Sequence, residues 1–517
     1  MICARVNRCT RFAAIVALAV AGATTGACKK IEQGRRLASG LARDIVVSPS
    51  GSAVSFLQGA VHPDDRGVPE DLFVGDLFFA WVAGNGSAER IGGGVPTLAG
   101  ARAFSPGGEW LAYLAQWRFR DGEGELWLAE AAAPPRKVAD AVSSMRWAPT
   151  GSLLAFVASG KLMVLDAAKE PAAPSVALDG VQTFAWAPGS NRLAARGAAA
   201  AGGRVEMVDV GSGRLREVAK GSSDFGFGDD GALYVLGPPG PSGGDRPLAV
   251  VDAFDARPRE IGRATSFAAS GRDVALLSTA KAPGEAFGTL SRISRSGGAP
   301  QQLGERVSDY RFSLRGDILF LARYDTRARA GMLTIAPRAK PPREIAARVQ
   351  SFTVQRDRIL YVAHAPQKGD FRIELWTAPL DGSSPPRKVD DGVYGYQLSP
   401  DGKSLFWKAR CAGGSRSCSL FQGAADGSSP RLIATNVAGF DLSADGSRVL
   451  VQQPHRGAPR AVDLAVVATD GPRGDASAEP FATEVEPSSR FVDARGRRVV
   501  YAAMSAARAG VYLVDVP

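Results

Sequence analysis

Leu398-Ser399-Pro400-Asp401-Gly402-Lys403-Ser404-Leu405-Phe406-Trp407 holds two apolar ends reversed by a short polar centre. Ser suits the first position of a tight turn, Pro presets φ at the second, and Gly takes the left-handed conformation that brings the chain back, so the segment reads as a β-hairpin. The same grammar returns at Phe104-Ser105-Pro106-Gly107-Gly108-Glu109-Trp110-Leu111-Ala112-Tyr113 and at Trp147-Ala148-Pro149-Thr150-Gly151-Ser152-Leu153-Leu154-Ala155-Phe156. Aligned on the turn, eleven copies begin near Ser48, Ser105, Ala148, Ala187, Gly228, Ala268, Ser313, Gln355, Ser399, Ser443 and Asp493, mostly 39 to 45 residues apart. Several copies drift: Phe227-Gly228-Asp229-Asp230-Gly231 lacks the proline, and Val354-Gln355-Arg356-Asp357-Arg358 lacks the glycine.

Further strands follow each hairpin. Glu125-Leu126-Trp127-Leu128-Ala129 and Glu374-Leu375-Trp376-Thr377-Ala378 read as third strands, and Pro135-Arg136-Lys137-Val138-Ala139 and Pro386-Arg387-Lys388-Val389 as fourth strands. Four strands make one small sheet. Second strands such as Leu153-Leu154-Ala155-Phe156-Val157 are apolar on both faces, as expected of a sheet stacked between two neighbours. With 60 glycines and 33 prolines, the chain has no room for helices of ordinary length outside its N-terminus. The expected fold class is therefore all-β, a β-propeller of about eleven four-stranded blades.

The repeated Ser-Pro-Asp-Gly element resembles the WD40-like (PD40) repeats of the TolB-type propellers found in bacterial envelope proteins, and it covers nearly the whole chain after the N-terminal segment. This chain departs from TolB itself in having no separate α/β domain ahead of the repeats, so a Tol-system role does not carry over. Eleven blades exceed the usual four to eight of one ring. Two tandem rings, residues 35–260 with about five blades and 261–517 with about six, are the expected arrangement; one oversized ring is the alternative. Arg35-Arg36-Leu37-Ala38-Ser39 reads as a fourth strand without a blade and Gly510-Val511-Tyr512-Leu513-Val514 as a third strand lacking a fourth, so the two are expected to complete one blade together.

Residues 1–27 read as an export signal: Arg5, Arg8 and Arg11 precede an apolar run from Ala13 to Ala23 that is too short to span a bilayer. It ends at Thr25-Gly26-Ala27-Cys28, which resembles the lipobox of bacterial lipoproteins except that Thr25 stands where leucine is usual. Cys28 is thus the expected lipidation site and residues 28–34 the tether. Cleavage after Ala21-Gly22-Ala23 would instead release a soluble periplasmic or secreted protein with an unmodified Cys28 thiol. Of the five cysteines, Cys3 and Cys9 leave with the signal, so Cys411 and Cys418 remain as an expected disulfide across a hairpin tip. A loop this short contributes about 2.5 kcal/mol by the chain-entropy relation, which is local stapling.

The formal charge of +10 falls to about +7 without the three signal arginines, and it is scattered with no run of five or six like charges. That pattern gives solubility and weak attraction to anionic polymers, not a nucleic-acid footprint, and no nucleic-acid partner is expected. The histidines His62, His364 and His455 stand in three different repeats, so no metal site, catalytic constellation or cofactor site is expected. Propeller peptidases of the dipeptidyl-peptidase type carry a catalytic α/β domain for which this chain has no room, and no Gly-x-Ser-x-Gly elbow precedes a helix. Gly402-Lys403-Ser404 lacks the first glycine of a phosphate loop and reads as a hairpin turn. The Arg-Gly-Asp triplets at Arg315-Gly316-Asp317 and Arg473-Gly474-Asp475 are those expected by chance in a chain rich in both residues, and Asp401 and Asp445 read as turn-stabilising carboxylates.

The candidate binding element is an insertion between the first two repeats, Val61-His62-Pro63-Asp64-Asp65-Arg66-Gly67-Val68-Pro69-Glu70-Asp71, in which His62, Asp64, Asp65, Arg66, Glu70 and Asp71 carry the chemistry. A second long insertion spans Asp470 to Ser488. Insertions map to loops, often on a binding face. The expectation from sequence is a lipid-anchored, non-enzymatic scaffold that binds an envelope protein or peptide. The alternative is a propeller enzyme or sensor that grips an anionic sugar or peptide in the central channel.

Overall fold

The computed structural model describes residues 34–516 except 64–67, 85, 131–132, 170–173, 199–202, 223, 239–243, 280–286, 339, 365–372, 413–416 and 472–477. Cys28, Asp64, Asp65, Arg66 and the Arg473 triplet lie outside the described residues. Among the described residues every regular element from Arg35 onward is a β-strand, and residues 34–517 form one compact unit.

The 42 strands among the described residues make eleven antiparallel four-stranded blades, because two long strands each serve two blades. Ala133–Trp147 ends blade 2 and begins blade 3, and Arg343–Gln355 ends blade 7 and begins blade 8. Blade 1 spans 42–96, blades 4, 5 and 6 span 181–219, 224–264 and 266–307, and blades 9 and 10 span 395–437 and 439–485. Blade 11 takes three strands from the C-terminal end and its fourth from the other end of the chain: Arg35–Ser39 pairs with Gly510–Asp515 in the register Arg35↔Leu513, Arg36↔Tyr512, Ala38↔Val511 and Ser39↔Gly510.

The apolar residues sort into eleven clusters, and each belongs to one pair of consecutive blades. The last of these pairs is blade 11 with blade 1, where Leu37, Val511 and Leu513 pack with Ile45, Val54 and Phe56. The order of contacts is that of a single cycle, the alternative raised from the sequence. No break marks the expected division after residue 260: Ala232, Tyr234 and Ile261 of blade 5 share a core with Ala264, Val274 and Leu276, which lead into and form blade 6. The reason is the two-faced second strand. Tyr234, Phe320 and Trp407 are fully buried from both sides, so each blade needs a neighbour on each face, and an end of the series is covered only by its other end.

Two local devices recur. In the turns, Ser48, Ser105, Ser399 and Ser443 are buried, and each hydroxyl accepts the amide five residues on, from Ala53, Trp110, Ser404 and Arg448 at 3.0, 3.2, 2.9 and 3.0 Å. Asp401 and Asp445 accept from the hydroxyls of Ser399 and Ser443 at 2.6 and 2.8 Å and from the amides of Lys403 and Ser447. Two copies differ from the alignment. The blade 6 hairpin turns between Ser270 and Asp273, beyond the Ala268 expected, and blade 8 closes Gln355 onto Arg358 with only two residues between them. Both are short turns with a left-handed residue, Gly271 or Arg356, so the longer serine-led turn is not needed there.

The second device sits where a fourth strand runs toward the next blade. A left-handed residue precedes a buried apolar one at Asp44/Ile45, Gly94/Val95, Ala141/Val142, Gly180/Val181, Arg306/Val307, Arg348/Val349, Gly392/Val393, Asn436/Val437 and Glu484/Val485. In many blades it is a β-bulge, with one extra residue on the fourth strand against the third, as between Leu126↔Ala139 and Gly124↔Val142. The bulge turns the valine into the core shared with the next blade. The residue opposite is often glycine, and at Gly288 a Cβ would lie 1.6 Å from the carbonyl oxygen of Ser278.

Candidate functional site

The antiparallel blades put their first-to-second and third-to-fourth connections at one end and the remaining connections at the other. At the first of these ends, blades 1 and 2 part around a cleft of about 520 Å³. One wall is the end of the third strand of blade 1, the turn after it and the start of the fourth strand, including Phe79, Trp81, Ser87, Glu89 and Ile91; the other includes Ala129, Glu130, Pro134 and Pro135 of blade 2. The blade 1 turn is held at its base by the closing strand. Arg35 Nη2 donates to the carbonyls of Trp81 and Val82 at 3.1 and 3.2 Å, and the amide of Ala88 donates to the carbonyl of Leu37 at 2.7 Å.

Phe79 and Trp81 stand two residues apart on one strand and meet edge to face, with ring centroids 5.1 Å apart and planes at 81°. Phe79 is buried in the blade 1–blade 2 core, while Trp81 is half-buried at its margin. Across the cleft Glu130 accepts from the indole N–H of Trp110 at 3.3 Å, which fixes one carboxylate oxygen. Glu89 is exposed, opposite Phe79 in the strand register. Aromatic surface, two carboxylates and a proline pair make a lining suited to binding and fixing a ligand.

The insertion singled out from the sequence lies at the opposite end. It joins Ala53–Val61 to Val74–Trp81, the second and third strands of blade 1, so His62, Glu70 and Asp71 are not brought to the cleft, and Asp64, Asp65 and Arg66 lie outside the described residues. His62 Nε2 lies 3.0 Å from the carbonyl oxygen of Pro69, its ring stands edge-on to Phe73 at 6.1 Å, and the Arg43 guanidinium lies 3.8 Å above the Phe73 ring. Glu70 and Asp71 are exposed. The second insertion falls between the third and fourth strands of blade 10, whereas the first falls between the second and third strands of blade 1. Cys411 and Cys418 form a disulfide in the second-to-third connection of blade 9.

At the inner edges, where first strands of neighbouring blades approach one another, charges pair across blades. Arg102 is buried and bonds the carboxylate and carbonyl of Asp44; burial pushes its guanidinium down, opposed by the charge of Asp44. Burial raises the Asp441 carboxyl, with Arg490 pulling the other way. Among the described residues, no group of three or more His, Cys, Asp or Glu side chains could hold a metal ion, and no helix is long and apolar enough to cross a membrane.

A further constellation was written in the sequence but not read there. Glu125 and Glu374 stand near the start of the third strands of blades 2 and 8, Glu123–Glu130 and Ile373–Pro379. Each accepts from a tryptophan two residues on, Trp127 or Trp376, at 3.0 and 2.9 Å, and from Lys137 or Lys388 of the fourth strand at 2.8 and 2.7 Å. The hydrogen bond from Lys137 holds the Glu125 carboxyl below its usual range. The repeated Glu-Leu-Trp and Pro-Pro-Arg-Lys-Val pairs were the available signal, and both ion pairs clamp third strand to fourth.

No protein-family profile matches the chain, and no curated protein matches it. Solved structures do. One described as a eukaryotic initiation factor aligns over 71% of this chain and 95% of its own at 11% identity, with a TM-score of 0.43. A tricorn protease aligns over 86% of this chain at 12% identity and a TM-score of 0.27, and an acylaminoacyl peptidase in complex with Z-Gly-Gly-Phe-chloromethyl ketone over 72% at 13% and 0.29. The chain spans 46% of the first of these peptidases and 58% of the second. The expectation that the chain is not an enzyme is corrected by this comparison. Two of the matched structures are a protease and a peptidase, and a propeller fold by itself neither assigns nor excludes an activity. At such identities the likeness concerns the fold alone and assigns this chain no activity.

Proposed function

We propose that the chain is an exported binding protein of a bacterial cell envelope, of the TolB-like kind with PD40 repeats, held to a membrane by lipid on Cys28. Its work is to dock a protein or peptide segment. The observation that carries this reading is the cleft between blades 1 and 2, whose aromatic and carboxylate groups stand on rigid strand ends and whose turn is tied down by the closing strand. Preorganised groups of this sort lose little entropy when a partner is ordered against them.

Reversible cross-linking tests it, with a photoreactive residue placed at Ser87 in the cleft wall or at Glu70 in the insertion. Capture of a defined envelope protein from Ser87 that free purified protein competes away supports the cleft. Capture from Glu70 alone moves the docking surface to the opposite end, and capture from neither refutes the docking reading. The anchor has its own test. Cys28→Ser should release the protein from membranes into the soluble fraction, and unchanged membrane retention would refute lipidation there.

A further inference from the structure

We infer that the cleft between blades 1 and 2 receives a cationic side chain, lysine or arginine, from an extended peptide. This rests on the reading of the cleft as the docking site and names the chemistry it selects. The chain as a whole is basic, with 62 lysines and arginines against 52 acidic residues, yet among the described residues the cleft lining contains Glu89 and Glu130 and no lysine or arginine. A cavity of that sign on a protein of the opposite sign is a local selection for cations.

The aromatic pair adds a second, independent attraction. The face of an indole draws an ammonium or guanidinium within about 6 Å of its centre, and the edge-to-face contact with Phe79 fixes how the half-buried Trp81 stands at the cleft margin. An alkyl stem lies against apolar Ile91 and Ala129 while the charged head meets carboxylate, the usual division of a long basic side chain. Glu130 is oriented for this by Trp110, whose indole N–H holds one carboxylate oxygen at 3.3 Å. The volume of about 520 Å³ exceeds one side chain, which leaves room for flanking peptide backbone along Ser87 and the Pro134–Pro135 wall.

The test is titration of the full mature chain, followed by tryptophan fluorescence and calorimetry. The probes are an N-acetylated, C-amidated pentapeptide with central lysine, its arginine and glutamine counterparts, and butylammonium and tetramethylammonium as free cations. The lysine and arginine peptides should bind at least tenfold more tightly than the glutamine peptide, weakening as salt rises. The isosteric Glu89→Gln and Glu130→Gln should each weaken them severalfold, and together more than tenfold, with unchanged melting temperature. Trp81→Phe should weaken binding less than the double carboxylate change. Equal binding of the glutamine peptide overturns the inference, and free cations that bind as well as the peptides overturn its peptide half. If no basic probe binds while cross-linking from Ser87 still captures a partner, the cationic inference fails and the docking reading stands. If both fail, both are wrong.

Discussion

Leu37→Ala tests the closure of the cycle. Leu37 is 1% exposed and packs with Ile45, Phe56, Val511 and Leu513 between blades 11 and 1. Truncating a buried leucine removes its transfer free energy and leaves a cavity, at a cost of 2–5 kcal/mol in well-packed cores, and about 3 kcal/mol is the expectation here. The neighbouring bonds bound where the loss is felt. The closing strand is held by the ladder to Gly510–Asp515, by the bond from Gly40 N–H to the Ala509 carbonyl, and by the Arg35 and Ala88 bonds to the blade 1 turn. Native-state hydrogen exchange read by mass spectrometry is the assay. Since about 1.4 kcal/mol is tenfold in an equilibrium, amides in 35–39, 510–515 and the turn at 82–88 should exchange about a hundredfold faster. Peptides from blade 5, far along the cycle, should keep their wild-type rates. No acceleration, or a uniform acceleration in every blade, would refute the closure by this strand; acceleration confined to blade 11 would refute the contact with blade 1.

Four further outcomes are expected. Ser443→Ala removes a fully buried hydroxyl that accepts from Arg448 N–H and donates to Asp445, and should cost about 1–2 kcal/mol in a denaturant titration, whereas Ser50→Ala on the exposed part of a turn should cost little. Gly288→Ala forces a Cβ to within 1.6 Å of the Ser278 carbonyl and should destabilise by at least about 2 kcal/mol; Gly331→Ala, whose Cβ would lie 2.9 Å from the Ala322 carbonyl, should cost less, and the reverse order would contradict the geometry. Ala141→Gly relieves a left-handed residue at φ 51° and should stabilise by roughly 0.5–1 kcal/mol by thermal melting, despite the added freedom of the unfolded chain. Stability should fall at both pH extremes. Hydrogen bonds from Ser399 and from Ser428 hold the Asp401 and Asp426 carboxyls below the usual 3.8, so their contribution is full above that value and is lost as the pH falls through the lowered folded pKa. Burial pushes Tyr234 and Tyr501 up to about 12, so their contribution is full below pH 10 and is lost as the pH climbs from 10 through about 12; melting temperatures constant from pH 9 to 12 would contradict this.

The repeat was legible because its turn chemistry is local: Ser399, Pro400 and Gly402 announce a hairpin without reference to anything distant. The closing strand was legible for a related reason, since Arg35–Ser39 and Gly510–Asp515 were each a strand short of a blade. Ring number was not, because it depends on which blade covers the outer face of Tyr234 in blade 5, and nothing local distinguishes a blade 6 neighbour from a blade 1 neighbour. The cleft was hidden likewise. Phe79, Trp81 and Glu89 are separated from Glu130 and Pro134 by a whole hairpin, and only the stacking of blades 1 and 2 sets them on facing walls. The insertion at 61–71 drew notice by its length, a property that says where chain was added and not what lies across from it.

The pairing of Arg35–Ser39 with Gly510–Asp515 also dictates an order of events during folding. Each blade is assembled from neighbours within about 40 residues, but this last ladder joins positions roughly 475 residues apart. By the logarithmic cost of loop closure the longer span is dearer by only about 2 kcal/mol, so thermodynamics hardly notices it. Kinetics does, because Arg35–Ser39 must wait for Gly510–Asp515 to be synthesised before it can pair. Until then the sides of blades 1 and 11 that meet through Phe56 and Leu513 are bare to the surroundings, and a chain cut short anywhere upstream of Gly510 keeps the Phe56 side of blade 1 bare. Such a fragment would be marked for chaperones or proteases by its open seam, however many complete blades it holds.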